Sequence, residues 1–309
     1  MNLDMHFHSI SSDWYSTKTE LLQKAKEKNM DFIALTDHDV ISYWFREETQ
    51  RLEIESCQSV EISSYNKAHN KSLHLTFYAK EISTDISSRI QTIIDAKIGL
   101  LKKQVLFFKD IWFDIDILEM YNFYDKSNRN KETLNKFDLV RFMFLKESNR
   151  ILAQKINNNI PINIEWFYLK FLKRWWEFFD KYAVIIDAYE MPIESCSDFV
   201  TQSNWVLSIA HPNVTFRKWW IQEFQEVLPF YIEKAWINAI EINAKATQNW
   251  VEAILEAKNN YWLFLTFWSD FHKEGIDDWK HWEFWEKNIY TQKDFIKSCF
   301  EEYREKIIA

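Results

Sequence analysis

Histidine and acidic residues recur along this sequence in or directly after short apolar runs. His6 and His8 form an HxH pair in NLDMHFH, and Asp270 and His272 form a similar pair in SDFH. Because alternate residues of a β-strand point to the same side, each pair can direct two side chains at one ion. One such pair alone is weak evidence, since an isolated histidine is more often an ordinary hydrogen-bonded residue.

The whole set of histidines carries a stronger indication. Six of the eight lie in or at the end of a predicted strand: His6, His8, His38, His74, His211 and His272. Glu61 lies in a further strand, VEIS. In a parallel α/β barrel the C-terminal ends of all strands meet at one face, so these scattered residues would form one cluster. Imidazole and carboxylate ligands without thiolate suit Zn²⁺, Mn²⁺ or Fe²⁺.

The elements that would position these residues follow a strand–helix rhythm at both ends of the chain. Thr17 and Glu20 form a capping box that opens a helix through about Lys28, and Asn29 can take the left-handed stop. Strand-like runs lie at residues 2–8, 31–36, 58–63, 73–79, 205–210, 238–244 and 263–268. Strands that alternate with helices predict a parallel sheet with crossover helices.

The middle of the chain has a different pattern. Residues 84–185 are helical and aromatic in character and lack the strand–turn rhythm. We interpret them as a helical insertion in a domain formed by residues 1–83 and 186–309.

Composition excludes several classes of protein. The 309 residues suit one large domain, or one domain with an insertion. The net charge of −8 argues against coating nucleic acid by charge alone, but not against an enzyme whose metal ions supply positive charge. Three cysteines without CxxC spacing argue against a disulfide scaffold and a thiolate zinc site, and fit a reducing cytoplasm.

No membrane or protein partner is indicated by the sequence. It contains no run of 18 apolar residues and no signal-peptide pattern, and its start reads as a strand. We therefore expect a cytoplasmic protein without an obligate protein partner.

Glycine and tryptophan are present in abnormal proportions. The chain has 2 Gly and 16 Trp, whereas average usage predicts about twenty glycines. Many tryptophans occupy positions typical of glycine: Trp14 after an aspartate, Trp236 and Trp262 between a helix and a strand, and Trp268 where a strand ends. Pairs and triplets of Trp also fall in polar stretches: Trp175, Trp176, Trp219, Trp220, Trp279, Trp282 and Trp285.

One hypothesis explains this distribution. Some bacterial lineages read UGA as glycine, and translation of such a gene with a UGA-to-Trp code would write Trp at those codons. The alternative is a genuinely Trp-rich protein. Peptide mass spectrometry of the natural protein distinguishes the two.

The histidine and carboxylate motifs, taken in order, resemble those of the PHP (polymerase and histidinol phosphatase) superfamily. The matching stretches are DMHFHS with the following SD at 4–13, TDHD at 36–39, VEIS at 60–63, His74, AHP at 210–212 and SDFH at 269–272. Within it, the chain most resembles the nucleotide phosphatases and 5′-to-3′ exoribonucleases, which carry a helical insertion. Members commonly have glycine where this chain has Trp14, Trp205, Trp236, Trp262 and Trp268.

The resemblance implies an α/β fold, a distorted (β/α)7 barrel with a mainly helical insertion, that holds two or three divalent metal ions (Mn, Zn or Fe). It implies that the first ion is held by His6, His8, Glu61 and Asp270. Glu61 would bridge to a second ion held by His74 and His211, and a third would be held by Asp13, His38 and His272. Arg141 matches an arginine near the site in relatives, and Lys173 with Arg174 is a candidate phosphate-binding loop.

The predicted activity is metal-dependent hydrolysis of phosphate esters of nucleotides or RNA 5′ ends, by a hydroxide that the ions activate. The partner would then be a phosphorylated small molecule or a short nucleic acid as substrate. One alternative is a phosphatase of small phosphate esters like the histidinol phosphatases, which the insertion disfavours. Another is a non-catalytic PHP module, which the complete set of ligand types disfavours.

Overall fold

A computed structural model describes residues 1–12, 16–127, 129–172, 190–199, 205–216, 220–269 and 290–308. The chain divides into two compact units. The first comprises Met1–Gln91 and Glu190–Ala309, and the second comprises Thr92–Tyr189.

Two sheets form the centre of the first unit. A three-stranded parallel sheet contains β1 (Leu3–Phe7), β2 (Phe32–Leu35) and β3 (Glu55–Ser56), in that order. The strands of a six-stranded mixed sheet are β4 (Gln58–Asn66), β5 (Lys71–Ala79), β6 (Met191–Pro192), β7 (Trp205–Ile209), β8 (Ala239–Asn243) and β9 (Phe264–Trp268). Their order across the sheet is β6-β4-β5-β7-β8-β9. All seven strand-like runs of the sequence are thus strands in the structure.

Helices follow most of these strands. In the first unit they are α1 (Lys18–Glu27), α2 (Phe45–Arg51), α8 (Pro212–Thr215), α9 (Ile221–Ala235), α10 (Gln248–Tyr261), α11 (Lys293–Glu301) and α12 (Arg304–Ile307). Helix α3 (Thr84–Asp110) leads into the second unit, which contains α4 (Ile117–Asp125), α5 (Lys136–Met143), α6 (Glu147–Ile156) and α7 (Ile164–Phe171). Within the described parts of the chain, no helix combines the length and apolarity needed to cross a membrane.

The prediction of an all-parallel arrangement is wrong for β5. This strand pairs antiparallel with both β4 and β7, because β4 and β5 form a hairpin joined by residues 67–70 instead of a helical crossover. The antiparallel direction brings the first half of β5 to the same edge as the C-terminal ends of its neighbours. His74 therefore reaches that edge from the middle of its strand, not from the end.

The described residues do not show a closed barrel, so the expected (β/α)7 barrel stays a prediction. The strands form two separate hydrogen-bonded sheets. On one side the sheets approach each other at an isolated backbone bridge between His38 and Glu61. On the other side β1 lies beside β9.

Helix α1 has the ends that its sequence predicts. The side chain of Thr17 accepts a hydrogen bond from the Glu20 amide, and the Glu20 carboxylate accepts one from the Thr17 amide. Asn29 has a φ of 50°, as expected for the left-handed stop. The helix buries Leu21 and Leu22 in a core against β1 and β2, where each buried leucine contributes about 1.5–3 kcal/mol. This core fixes β1, which carries His6 and His8.

The second unit has an apolar core of its own. Phe108, Phe113 and Phe167 lie against one another at its centre, with ring centroids 5.4 to 5.7 Å apart. All three side chains are buried. The aromatic character of this part of the sequence is therefore used for packing.

Three tryptophans adopt backbone conformations that favour glycine. Trp112, Trp236 and Trp262 have φ values of 76°, 58° and 57°. Trp236 and Trp262 are the C-caps of α9 and α10, where a left-handed glycine is common. Trp112, Trp236 and Trp262 are 86%, 54% and 91% exposed, so their side chains make little packing contact. At these three positions the backbone has the left-handed conformation that the glycine hypothesis predicts.

Trp268 does not follow the same pattern. We expected its backbone to suit glycine, but the residue is the last in β9 and pairs with Asn243 in the regular register of a parallel ladder. The backbone at Trp268 therefore gives no support to glycine there. Trp14 lies outside the described residues.

The glycine hypothesis predicts an unusual effect on stability. Replacing Trp236 or Trp262 by Gly removes the steric cost of the left-handed backbone and loses only an exposed side chain. Each change should therefore raise the free energy of unfolding by about 1 kcal/mol. Thermal unfolding should show a rise in Tm of about 2 °C per site.

The matched control is Trp166→Gly. Trp166 is 64% exposed but lies inside helix α7, so the same change should lower stability by about 0.5–1 kcal/mol. Equal losses at Trp166, Trp236 and Trp262 would contradict the hypothesis.

Candidate metal centre

Glu61 is the centre of the histidine cluster. It lies in β4, and its side chain is fully buried. Its carboxylate is surrounded by ring nitrogens of five histidines. Oε2 lies 3.2 Å from His6 Nε2, 3.3 Å from His8 Nε2 and 2.8 Å from His38 Nδ1. Oε1 lies 2.9 Å from His74 Nδ1 and 3.0 Å from His211 Nε2.

Five separate segments deliver these side chains. His6 lies in β1 and His8 directly follows its end, so the two are alternate residues as the HxH motif predicts. His38 follows β2 and forms the bridge to Glu61, and the Asp39 amide donates to the Glu61 carbonyl at 2.7 Å. His74 reaches the cluster from β5, opposite Ser63 of β4. The cluster thus connects the two sheets.

His211 reaches the cluster through a strained backbone. It precedes the short helix α8 with φ 34° and ψ 59°, in the left-handed region. Such a conformation costs on the order of 1–3 kcal/mol in a non-glycine residue and is found mostly at functional sites. The strain directs Nε2 of His211 at Glu61.

Exposure differs across the cluster. The side chains of His6, His8 and Glu61 are at most 1% exposed, whereas those of His38 and His74 are 20% and 35% exposed. The first three therefore form a buried floor. Solvent, and hence a substrate, reaches the cluster from the side of His38 and His74.

The geometry around Glu61 fits metal ligation better than hydrogen bonding. Among the described residues, Glu61 Oε2 and His74 Nδ1 have no partner with hydrogen-bond geometry, although they are buried and close to other polar atoms. Ligand atoms around one Zn²⁺ or Mn²⁺ lie about 3.0 to 3.4 Å apart. Glu61 Oε2 lies 3.2 Å from His6 Nε2 and 3.3 Å from His8 Nε2, within this range. Two groups have ligand atoms close enough for one ion: His6, His8 and Glu61, and His38, Glu61 and His74.

Charge within the cluster also suits cations. Burial by itself would raise the pKa of Glu61, but His38, His6 and His74 outweigh it and hold the pKa well below its usual value. Burial would lower the pKa of His6, but Glu61 and Glu241 outweigh it and raise the pKa to about 10. Both shifts favour a protonated His6 beside an ionised Glu61, so metal binding at His6 would release a proton.

Three other acidic residues tie strand ends together instead of facing the cluster. Asp4 accepts hydrogen bonds from the amide and hydroxyl of Ser269. Asp37 accepts from the amide and hydroxyl of Ser9 and the hydroxyl of Ser12, at 2.7 to 2.8 Å. Asp39 accepts from the amide and hydroxyl of Ser63 at 2.8 Å. These contacts make Asp37 and Asp39 orienting residues around His38.

The described part of the structure shows none of the remaining predicted site residues in the cluster. Five of these residues lie outside the described part: Asp13, Asp270, His272, Lys173 and Arg174. Arg141 lies in the last turn of α5 in the second unit, with its guanidinium 4.4 Å from the ring centroid of Phe137. The roles assigned to these six residues stay predictions.

Glu241 is a site residue that the sequence reasoning missed. It lies in β8, fully buried, with Oε2 2.8 Å from His6 Nδ1 and Oε1 accepting from the His211 amide at 2.6 Å. A signal was available, because an acidic residue inside the apolar run AIEIN is rarely buried without a partner. The same signal had selected Glu61 in VEIS.

Comparison with known proteins identifies the fold. No family model and no curated protein sequence matches the chain. An amidohydrolase from Chromobacterium violaceum, with bound sulfate and no metal, superposes with a TM-score of 0.68 at 16% identity, over 100% of this chain and 98% of that one. A candidate metal-dependent phosphoesterase from Bifidobacterium adolescentis gives 0.68 at 17% identity, over 96% and 95%. The chain therefore has the mixed α/β fold of these proteins.

A third similar structure is more distant. It is a two-domain protein from Bacteroides vulgatus that contains a predicted PHP-like metal-dependent phosphoesterase, with 14% identity over 88% of this chain and 52% of that one. Its TM-score of 0.38 is too low to support conclusions about the fold.

Removal of the central carboxylate should abolish tight metal binding. Glu61→Gln keeps the shape but removes the charge that five imidazoles surround. Loss of residues that only orient ligands costs about 10–100-fold in metal affinity, so loss of Glu61 should cost at least about 100-fold. Titration of purified protein with Mn²⁺ or Zn²⁺ measures this. Asp138→Asn, which changes a buried carboxylate paired with Arg129 in the second unit, should retain affinity.

Asp4 predicts a pH dependence of stability. Burial raises its pKa from 3.8 to about 6, against the opposing hydrogen bonds of Ser269 and His6. A raised carboxyl pKa stabilises the folded state at low pH, and this contribution is lost as the pH rises through 6. Between pH 7 and pH 5 the protein should therefore gain about 1.4 kcal/mol relative to Asp4→Asn.

Denaturant unfolding in EDTA at the two pH values measures this difference. Asp110→Asn, at an exposed helix end, is the control and should show no such change. A pH-independent difference between wild type and Asp4→Asn would show that Asp4 is ionised in the fold at pH 5.

Proposed function

We propose that this protein is a metal-dependent phosphoesterase that hydrolyses phosphate esters of nucleotides or RNA 5′ ends. The observation that carries the proposal is the convergence of five histidines on the buried carboxylate of Glu61, a donor set without thiolate that suits hard or borderline divalent ions. No disulfide or hydrophobic packing role accounts for five imidazoles around one buried charge.

The similar structures support the chemical class. One is named as a candidate metal-dependent phosphoesterase and another as an amidohydrolase with bound sulfate, a tetrahedral oxyanion like phosphate. Both similarities extend over nearly the whole chain. We therefore infer a hydrolase acting on phosphoric ester bonds; the nucleotide or RNA substrate rests on the motif resemblance.

Different residues of the cluster would have different roles in hydrolysis. Bound divalent ions would supply Lewis-acid activation of water and neutralise charge on the phosphoryl oxygens. Glu61 would hold ions on both of its oxygens, with His6 and His8 on one side and His74 and His211 on the other. His38 and His74, at the exposed side, would lie nearest to an incoming phosphate. Asp37 and Asp39 would hold the His38 segment in place.

The proposal includes a third ion and the complete ligand set. Asp270 would complete the first group, and Asp13 and His272 would join His38. It also includes a distorted (β/α)7 barrel with a helical insertion. The bridge between His38 and Glu61 and the proximity of β1 to β9 support that arrangement, because they bring both edges of the two sheets together.

A panel of substrates tests the function. Purified protein with Mn²⁺ or Zn²⁺ is given a 3′,5′-bisphosphonucleotide, a short 5′-phosphorylated RNA, histidinol phosphate and an aryl phosphate, and released phosphate or nucleotide is measured. We expect turnover of the nucleotide or RNA, with His38→Ala reduced by at least about 100-fold. His69→Ala, a histidine outside the cluster, should keep full activity.

The outcomes separate the alternatives. Turnover of histidinol phosphate alone would contradict the nucleotide assignment and indicate a small-molecule phosphatase. No turnover of any substrate, with His38→Ala indistinguishable from wild type, would indicate a non-catalytic module. Both the chain as written and one with glycine at Trp112, Trp236 and Trp262 should be assayed, since a recoded protein must be made correctly before inactivity is informative.

A further inference from the structure

We propose that Glu241 is a positioning residue that fixes two ligands of the metal cluster at once. It belongs to β8, between β7 and β9, and its side chain is fully buried on the far side of His6 from Glu61. The proposal rests on the metal-binding function above, and concerns how the protein prepares its ligands before any ion binds.

One oxygen of Glu241 determines the protonation pattern of His6. Oε2 lies 2.8 Å from Nδ1 of His6, while Nε2 of the same ring faces Glu61 Oε2 at 3.2 Å. An ionised Glu241 requires a proton on Nδ1, because a carboxylate only accepts hydrogen bonds. Once Nε2 loses its proton, its lone pair points into the cluster. Carboxylates that orient metal-binding histidines act in this way.

The other oxygen of Glu241 holds the backbone of His211. Oε1 accepts from the His211 amide at 2.6 Å, at the residue whose φ of 34° lies in the left-handed region. A charge-assisted hydrogen bond of this kind is among the stronger ones in proteins and can offset the strain. The bond thereby keeps Nε2 of His211 directed at Glu61 Oε1.

Only a carboxylate satisfies both partners. The His211 amide is always a donor, and Nδ1 of His6 must donate if Nε2 is to bind a metal. Glutamine has one accepting oxygen and one NH₂ group. If its oxygen faces His211, its NH₂ donates to Nδ1 and forces the proton of His6 onto Nε2, the ligand atom. In the opposite orientation, two donors face each other at His211.

The contacts of Glu241 also distinguish it from a ligand. Oε1 accepts from the His211 amide and Oε2 lies within hydrogen-bond distance of His6 Nδ1, and the two candidate ligand groups among the described residues do not include Glu241. Its influence on an ion would therefore pass through His6 and His211.

The experiment compares Glu241→Gln with wild type in two measurements. Calorimetric titration with Mn²⁺ and with Zn²⁺ should show affinity lowered by about 10–100-fold. Independently, a crystal structure of metal-free Glu241→Gln should show the His6 ring turned away from Glu61 or the His211 backbone out of its left-handed conformation. Glu241→Asp, which keeps two accepting oxygens, should retain the wild-type arrangement.

The control is Asp138→Asn. Asp138 is a buried carboxylate that pairs with Arg129 at 2.7 Å in the second unit, so its loss should lower stability while leaving metal affinity within about twofold of wild type. Unchanged affinity and an unchanged arrangement of His6 and His211 in Glu241→Gln would overturn the proposal. If wild type binds no metal, the proposed function fails, and the crystal structure still decides the role of Glu241.

Discussion

The buried carboxylate of Glu61 is the constraint on which the rest of the structure depends. An ionised group in a fully buried position costs several kcal/mol unless it is compensated. Five histidine nitrogens between 2.8 and 3.3 Å supply that compensation, and they come from four segments that lie in or follow strands of both sheets. Both sheets must therefore be placed correctly at the same time. The bridge between His38 and Glu61 lies where these segments meet.

The antiparallel strand β5 follows from the same requirement. A βα crossover would bring only the end of the next parallel strand to the cluster, whereas the β4–β5 hairpin places His74 diagonally beside Glu61, at 2.9 Å across two directly hydrogen-bonded strands. The same pairing lets the His74 carbonyl accept from the Ala210 amide, next to His211. One strand in the opposite direction thus links three of the metal-binding segments.

Local sequence patterns predicted the elements well, because they arise from local physical chemistry. The capping box at Thr17 and the seven strand-like runs depend only on neighbouring residues, and all of them are present. The direction of β5 and the role of Glu241 depend instead on residues distant in sequence: Glu241 contacts His6 across 235 positions. The tryptophans at left-handed C-caps were recognisable because a helix stop has its own local signature, whereas Trp268 lies in an ordinary strand ladder.

The serine–carboxylate contacts show how the fold prepares positions beyond the histidines. Ser12 directly precedes Asp13, and Ser269 directly precedes Asp270, the two acidic ligands expected from the motifs. Asp37 holds Ser12, and Asp4 holds Ser269, although burial raises the pKa of both carboxyl groups and so makes their ionised forms costly. A fold under no constraint at these points would gain stability from apolar residues there. Each costly contact anchors the serine directly before an acidic residue that the motifs predict to be a ligand, which we would expect of a fold that has to hold the chain in place at both points.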